Sequence, residues 1–504
     1  MWFAENKSWS EYRRSLGGFS AIVCKDGSTV WAEDASGKSI ASGESGVDDA
    51  SVIQSALDIG GIVRIREGKY FIDKDINLVS NLVLIGDGIG KTIFKKVADV
   101  HALKGYNVEN VVLQDFMIDG QGYKKRAILF DSSGDKPLYN ITIKRVKTYN
   151  NYGHHIYFTG TDSTLENTYR NVVIERVECH LNPEGSIATN PILLLDYVNG
   201  VVLRDCYVHE VANRADGCIG LGGKNIWVYD CIAEEGYEGI RVETGPRDIK
   251  NINIIGGRFS YNNTGIFLYP DTKEVVIRGA RLERNYGAGV GFYGTGAQQK
   301  IDIFDCWFIE NGYPESATTA LSVNGDSVYE VRIERCKFIN NNFATGESRA
   351  ISILKGDKIT IKDNLIIDDR DTSYLRWGIE FRSGTITNVV CENNRIYGAY
   401  EKAIVRTYGA TVSGIFRRNI ADASIDLKSE NSGTATFSGD GATTQFSIAH
   451  GLVSTPTKVL VTPMTADAAS DFYVTADDTN IYINYKSAPP SGTDNLKFSW
   501  FAEV

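Results

Sequence analysis

One phrase returns along most of this chain, and it constrains the fold more than any single motif. An apolar alternation runs into two polar residues, then a small residue or cysteine, then another apolar pair. Clear copies are Val202-Leu203-Arg204-Asp205-Cys206, Trp227-Val228-Tyr229-Asp230-Cys231, Asp302-Ile303-Phe304-Asp305-Cys306 and Arg332-Ile333-Glu334-Arg335-Cys336. Weaker copies close at Asp87, Phe116, Val146, Val177, Gly257, Ala280, Asn364, Asn394 and Asn419, so the mean spacing is about 28 residues. A second strand type lies between the phrases, a small residue followed by an alternating pair. It reads Gly239-Ile240-Arg241-Val242, Gly265-Ile266-Phe267-Leu268, Gly289-Val290-Gly291-Phe292, Ala350-Ile351-Ser352-Ile353, Gly378-Ile379-Glu380-Phe381 and Ala403-Ile404-Val405-Arg406. Two or three short strands per unit with no helical period between them predict an all-β chain, a parallel β-solenoid of about 12–13 coils. Neither a leucine-rich consensus nor the four antiparallel strands of a propeller blade is present.

Composition agrees. The 504 residues include 50 glycines, 10 prolines and 3 methionines, with 42% hydrophobic and 23% charged residues. Such a chain can bury a large core and is not of the disordered class. The formal net charge of −10 argues against nucleic acid as a partner. No apolar run is long enough to span a bilayer, and no secretory signal is visible at the start. Cys206, Cys231, Cys306 and Cys336 share one phase of the repeat, where small buried residues pack. No Cys-x-x-Cys ligand spacing occurs, so no metal site or cofactor is assigned; Ca²⁺ is not indicated by a motif.

Asp48-Asp49-Ala50-Ser51-Val52-Ile53-Gln54-Ser55-Ala56-Leu57 reads as a short helix that stops at Gly60-Gly61. Gly61-Ile62-Val63-Arg64-Ile65-Arg66-Glu67-Gly68-Lys69-Tyr70-Phe71-Ile72 and Asn81-Leu82-Val83-Leu84-Ile85-Gly86-Asp87-Gly88 follow it. This opening closely resembles the cap and first coils of the pectate-lyase-like, single-stranded right-handed β-helix superfamily, which includes phage tailspike depolymerases. The resemblance implies a right-handed parallel β-helix acting on polysaccharide, in an extracellular or virion-associated place. It does not fix the reaction. The chain divides into a hairpin-like segment (1–45), the β-helix with its capping helix (46–428) and a small antiparallel β-sandwich (429–504) similar to C-terminal modules of tail-fibre-like proteins. Such modules serve carbohydrate binding, trimerisation or capping, and a homotrimer is compatible with them.

On a β-helix, functional residues form columns on the outer face, about 4.8 Å apart from coil to coil. Aligning the second strand type with its isoleucine inward gives three columns. One holds Arg126, His154, Pro191, Gly217, Glu238, Thr264 and Ala288; the next Leu129, Tyr157, Leu194, Gly220, Arg241, Phe267 and Gly291. The third holds Asp131, Thr159, Asp196, Gly222, Glu243, Tyr269 and Tyr293. Asp196 and Glu243 then face each other across a coil bearing Gly217, Gly220 and Gly222, a spacing near that of an inverting glycosidase pair. They are the candidate acid/base pair, with Asp216 and Glu238 next. Arg241 is placed to hold a substrate carboxylate. His154, Tyr157, Phe267, Tyr269 and Tyr293 border the notch and offer rings to sugar faces. Arg126, with Lys124, Lys125, Lys144, Arg145 and Lys147, gives a basic edge that can guide a polyanion.

Asn213-Arg214-Ala215-Asp216-Gly217 and Tyr237-Glu238-Gly239-Ile240 resemble the polygalacturonase pattern at two points, Asp216 and Glu238. Tyr237 stands where that family has another Asp, and its Gly-His-Gly and Arg-Ile-Lys elements have no counterpart. The leading expectation is an endo-acting inverting glycoside hydrolase on a long acidic polysaccharide. Two alternatives stay open. One is a lyase or uronate C5-epimerase using His154 or Tyr157 as base with Arg241 on the carboxylate. The other is a spike or adhesin that binds glycan without cleaving it.

Overall fold

The polar residue just before each of Cys206, Cys231, Cys306 and Cys336 is where the chain turns. Asp205, Asp230, Asp305 and Arg335 have φ of 53°, 49°, 57° and 54°, the left-handed region that non-glycine residues rarely enter. The same conformation recurs in the other copies, at Asp115, Arg145, Arg176, Asp363, Asn393 and Arg418. The recurring polar pair is therefore the corner between two sheets. A short polar side chain at most of these positions tolerates the geometry best.

The computed structural model describes residues 18–133, 137–152, 154–161, 168–180, 193–210, 217–242, 249–269, 271–313, 319–344 and 346–504, with backbone alone at 293–297 and 326–327. Its strands coil into a parallel β-solenoid of about 11 turns. Successive coils pair in parallel, with local register shifts at a few places such as Asp196/Asn199 and Ile386/Val389. Val63, Leu84, Leu113, Ile143, Ile174 and Leu203 form one inward column, and all are fully buried. The isoleucines of the second strand type, Ile240, Ile266, Ile351, Ile379 and Ile404, are likewise inward and fully buried. Each such side chain contributes about 1.5–3 kcal/mol by leaving water. The period varies from coil to coil: Phe267 pairs with Gly291, 24 residues on, and Gly291 with Ser322, 31 residues on.

Several second-type strands run on without a break into the next sheet, as in Leu193–Arg204, Ile219–Tyr229, Val290–Phe304 and Thr319–Glu334. The short separate strands read from the sequence are thus fused in these coils. A third strand of three residues, such as Glu178–His180 or Tyr207–His209, closes the triangle.

Buried asparagine side chains tie the backbone of one coil to the next. Asn285 Nδ2 donates to Asn311 Oδ1 at 2.8 Å and Asn311 Nδ2 to Asn341 Oδ1 at 3.0 Å. A second ladder links Asn364, Asn394 and Asn419. The asparagine pair Asn262-Asn263 thus divides its labour, since Asn262 is fully buried and joins the first ladder through its backbone N–H to Asn285 Oδ1. All eight cysteines are buried free thiols.

At the N-terminal end, the antiparallel strands Ala21–Asp26 and Thr29–Asp34 turn at Gly27, and the first also pairs in parallel with Gly61–Ile65. The capping helix Asp49–Leu57 buries Ala50, Ile53, Ala56 and Leu57 over the open first coil. Asp49, fully buried, accepts from Lys25 Nζ at 2.6 Å and from the Phe71 N–H at 2.7 Å. The C-terminal residues form two three-stranded antiparallel sheets around Ile481, Ile483, Leu496, Phe498 and Trp500. No helix among the described residues is long and apolar enough to cross a membrane.

Candidate functional site

The outward column headed by Leu129 is set by parallel pairing, as the sequence alignment implied. Leu129, Tyr157, Leu194, Gly220, Arg241, Phe267 and Gly291 are successive register partners. The column continues through Ser322, Ser352, Glu380 and Val405. An outward column on a solenoid ought to be wet. Here Leu194 is only 3% exposed and Glu380 0%, and every described member of the column is buried or half-buried. By contrast Arg204, Arg278 and Arg332, outward on the neighbouring sheet, are exposed. The column is therefore recessed from solvent.

One side of the candidate notch carries an aromatic and cationic group. The His154 and Tyr157 rings lie 4.5 Å apart at 32°, and the Arg126 guanidinium sits 5.3 Å from the centre of the Tyr157 ring. Arg126 Nε is buried and has no hydrogen-bond partner among the described residues. Burial raises the Tyr157 hydroxyl above the usual phenol range; Asp196 adds to that shift, while Thr159 and Arg126 oppose it. Tyr157 therefore stays a proton donor at neutral pH. The opposite side carries a buried ion pair. Glu238, 1% exposed, lies 3.3 Å from Arg241 Nε. Arg241 in turn stands 5.5 Å from the Tyr269 ring, and Phe267 packs edge-on against Tyr269 at 4.7 Å.

Between the two sides, Asp196 is in register with Gly222. A Cβ placed on Gly222 would lie 1.9 Å from Asp196 Oδ1. The missing side chain thus makes room for a carboxylate that leans across from the preceding coil.

This modifies the expected notch in three ways. Gly220 and Gly222 are buried rather than open, because the Asp196 side chain covers Gly222. Glu238 is held beneath Arg241 and orients it, instead of presenting a free carboxylate. The basic edge is partly neutralised, since Arg145 is bidentate on Asp115 at 2.6 and 2.8 Å and Lys147 is 2.6 Å from Glu178. Asp216 and Glu243 lie outside the described residues, as does the side chain of Tyr293, whose backbone pairs with Asn324. His155 is a packed residue. Its ring nitrogens contact Thr148 Oγ1 at 2.8 Å and Asn151 O at 3.2 Å, and complete burial pushes its pKa down to about 3.

Further along the column lies a cluster that the sequence columns, which stop at Gly291, did not include. Glu380 accepts from Thr407 Oγ1 at 2.6 Å and Ser352 Oγ at 3.1 Å, and is ion-paired with Arg349. Arg349 stacks at 5.1 Å on Trp377. Carrying the same alignment through Ala350-Ile351 and Gly378-Ile379 places Ser352 and Glu380 in the outward column.

Residues 126–313 match the family model of the right handed beta helix region. The fold of the chain is a right-handed parallel β-helix. The matched span covers the coils that build the notch. A pre-neck appendage protein of Bacillus phage B103 is 25% identical to this β-helix over 228 residues, 40% of this chain and 26% of the relative. The match therefore spans about a quarter of that relative's length. Among solved structures, the A-module of a mannuronan C-5 epimerase from Azotobacter vinelandii superposes with a TM-score of 0.53 at 18% identity, covering 75% of this chain and 96% of the module. A tailspike protein mutant of E. coli bacteriophage HK620, in complex with a pentasaccharide, superposes with a TM-score of 0.50 at 13% identity, covering 94% and 92%.

Proposed function

We propose that the recessed column is a polysaccharide groove and that this β-helix cleaves a long acidic glycan from within its chain, as an inverting glycoside hydrolase. The observation that carries the reading is the placement of Asp196. Its carboxylate leans over Gly222, with cationic and aromatic groups on both sides. Backbones two coils apart stand about 9–10 Å from each other. A side chain that leans one coil forward shortens that gap toward the middle of the range, about 6.5–9.5 Å, that leaves room for a water beside the sugar. In the column read from the sequence, Glu243 shares its place with Asp196 and Gly222, so it is taken as the partner of Asp196, with Asp216 the next candidate.

In this mechanism one carboxyl protonates the glycosidic oxygen while the other activates water on the opposite face of the ring. Arg241, aimed by Glu238, and Arg126 take the carboxylates of uronate units. Tyr157 donates to a sugar oxygen, and Phe267 and Tyr269 give ring faces to the chain. The similarity to a tailspike and a pre-neck appendage protein supports a virion-associated or extracellular place, and a homotrimer is the assembly proposed for it. The contact of His154 with Tyr157 beneath Arg126 favours a second reading, proton abstraction next to a uronate carboxylate by a lyase or epimerase.

The test is a pair of isosteric variants, Asp196→Asn and Glu243→Gln, assayed for new reducing ends on acidic polysaccharides. Both are expected to lose activity by at least 100-fold while melting within a few degrees of the parent chain. Normal cleavage by both removes this site assignment.

A further inference from the structure

Two of the six histidines sit side by side on the outer face of the third sheet, away from the recessed column. His180 ends the strand Glu178–His180, His209 ends Tyr207–His209, and the two are register partners on successive coils. Their rings stack 4.6 Å apart at 24°, and Tyr207 stacks on His209 at 3.9 Å. Stacking holds the two imidazole planes nearly parallel and leaves their ring edges open to other groups. Carboxylates lie at those edges. Glu178 Oε1 is 3.2 Å from His209 Nε2, Glu210 Oε2 contacts His180 Nε2 directly, and Glu210 Oε1 is 3.7 Å from His209 Nδ1.

Ligand atoms of Glu178, His180 and His209 all lie within 4.8 Å of one another. Ligands held tetrahedrally at about 2.1 Å stand about 3.4 Å apart, so small rotamer changes close the set around one ion. Two imidazoles with a carboxylate are the donors of a borderline transition metal, not of Ca²⁺ or Mg²⁺, which take oxygen. One competing cation is present, since Lys147 Nζ lies 2.6 Å from Glu178 Oε1. That ammonium occupies the side of the carboxylate an ion would use.

We propose that Glu178, His180 and His209, with Glu210 as a fourth donor, form a transition-metal site that takes Zn²⁺. The ion bridges two successive coils at their outer corners. It fastens them where the chain leaves the third sheet for residues 193–196 and 217–222, the strand segments that bear Asp196 and Gly222. The site is built from groups outside the hydrolytic mechanism and stands or falls independently of it.

The test uses the full chain stripped of metal with a chelator. Zn²⁺ is titrated against a chromophoric competitor, and Co²⁺ is used as a visible reporter of coordination. Expected are one equivalent of Zn²⁺ per chain and a Co²⁺ spectrum of four-coordinate intensity. His180→Ala and His209→Ala each weaken binding by at least 10-fold, and Lys147→Met tightens it. Melts recorded without metal check that the variants are folded, and the Co²⁺ spectrum of the parent chain stands without any variant. Absence of stoichiometric binding to the parent chain overturns the proposal. So does parental affinity retained in both folded histidine variants.

Discussion

Replacing Gly222 by alanine acts on one atom pair, so its consequence can be worked from the structure. The new Cβ would lie 1.9 Å from Asp196 Oδ1 and 3.1 Å from its Cγ, while the Asp196 Cα is a tolerable 3.4 Å away. A carbon–oxygen contact needs about 3.2 Å, so the carboxylate must swing by more than about 1 Å while the backbone stays. Gly222 carries no left-handed φ, so alanine fits its backbone, and the stability cost stays within the roughly 1–3 kcal/mol of ordinary overpacking. A displacement of about 1 Å at a reacting group costs about 100-fold in rate. The assay is the initial rate of reducing-end formation by Gly222→Ala and by a control, Gly90→Ala, where an added Cβ meets nothing within 4 Å. The control is expected to match the parent chain and Gly222→Ala to fall about 100-fold. Activity within threefold of the parent in a folded Gly222→Ala protein refutes the role given to Asp196.

Two further predictions concern groups beside the site. Arg241→Met leaves the buried Glu238 carboxylate without its guanidinium and is expected to destabilise the chain by about 3 kcal/mol in urea unfolding; adding Glu238→Gln recovers most of that, and no recovery would mean the pair is not coupled. His155 binds no proton when folded until about pH 3, whereas the unfolded chain takes one up near pH 6.5. Its contribution to stability is therefore lost as pH falls from about 6.5 toward 3, by about 3 kcal/mol at pH 4.5. His155→Gln should flatten that part of the stability profile, and an unchanged slope would show that other groups carry it.

The repeat made the solenoid legible because its corner residues obey a local rule. A left-handed turn every coil, with small residues inside, leaves a periodic trace in the sequence, and strand alternation then assigns inside and outside. The same alternation placed Tyr157, Arg241 and Phe267 in one column, since parallel register is all that such an alignment needs. What the alignment lacks is depth. It could not show that the outer face at Leu194 and Glu380 is buried, or that Asp196 fills the gap above Gly222, because both depend on neighbouring coils closing over the position. The ion pair of Glu238 with Arg241 was hidden for a related reason: three residues apart on a strand edge, they meet only through the side chains' reach. The His180 and His209 pair left no trace because their three-residue strands are too short for a period.

Product analysis on a panel of uronate and neutral polysaccharides tests the central claim most directly. The account predicts new reducing ends from an acidic polymer, a rapid fall in chain length, and no ultraviolet absorbance from unsaturated uronate. Rising absorbance would show a lyase, and an altered uronate ratio at constant chain length an epimerase. Either result, or binding without any change in the polymer, contradicts hydrolysis in this groove.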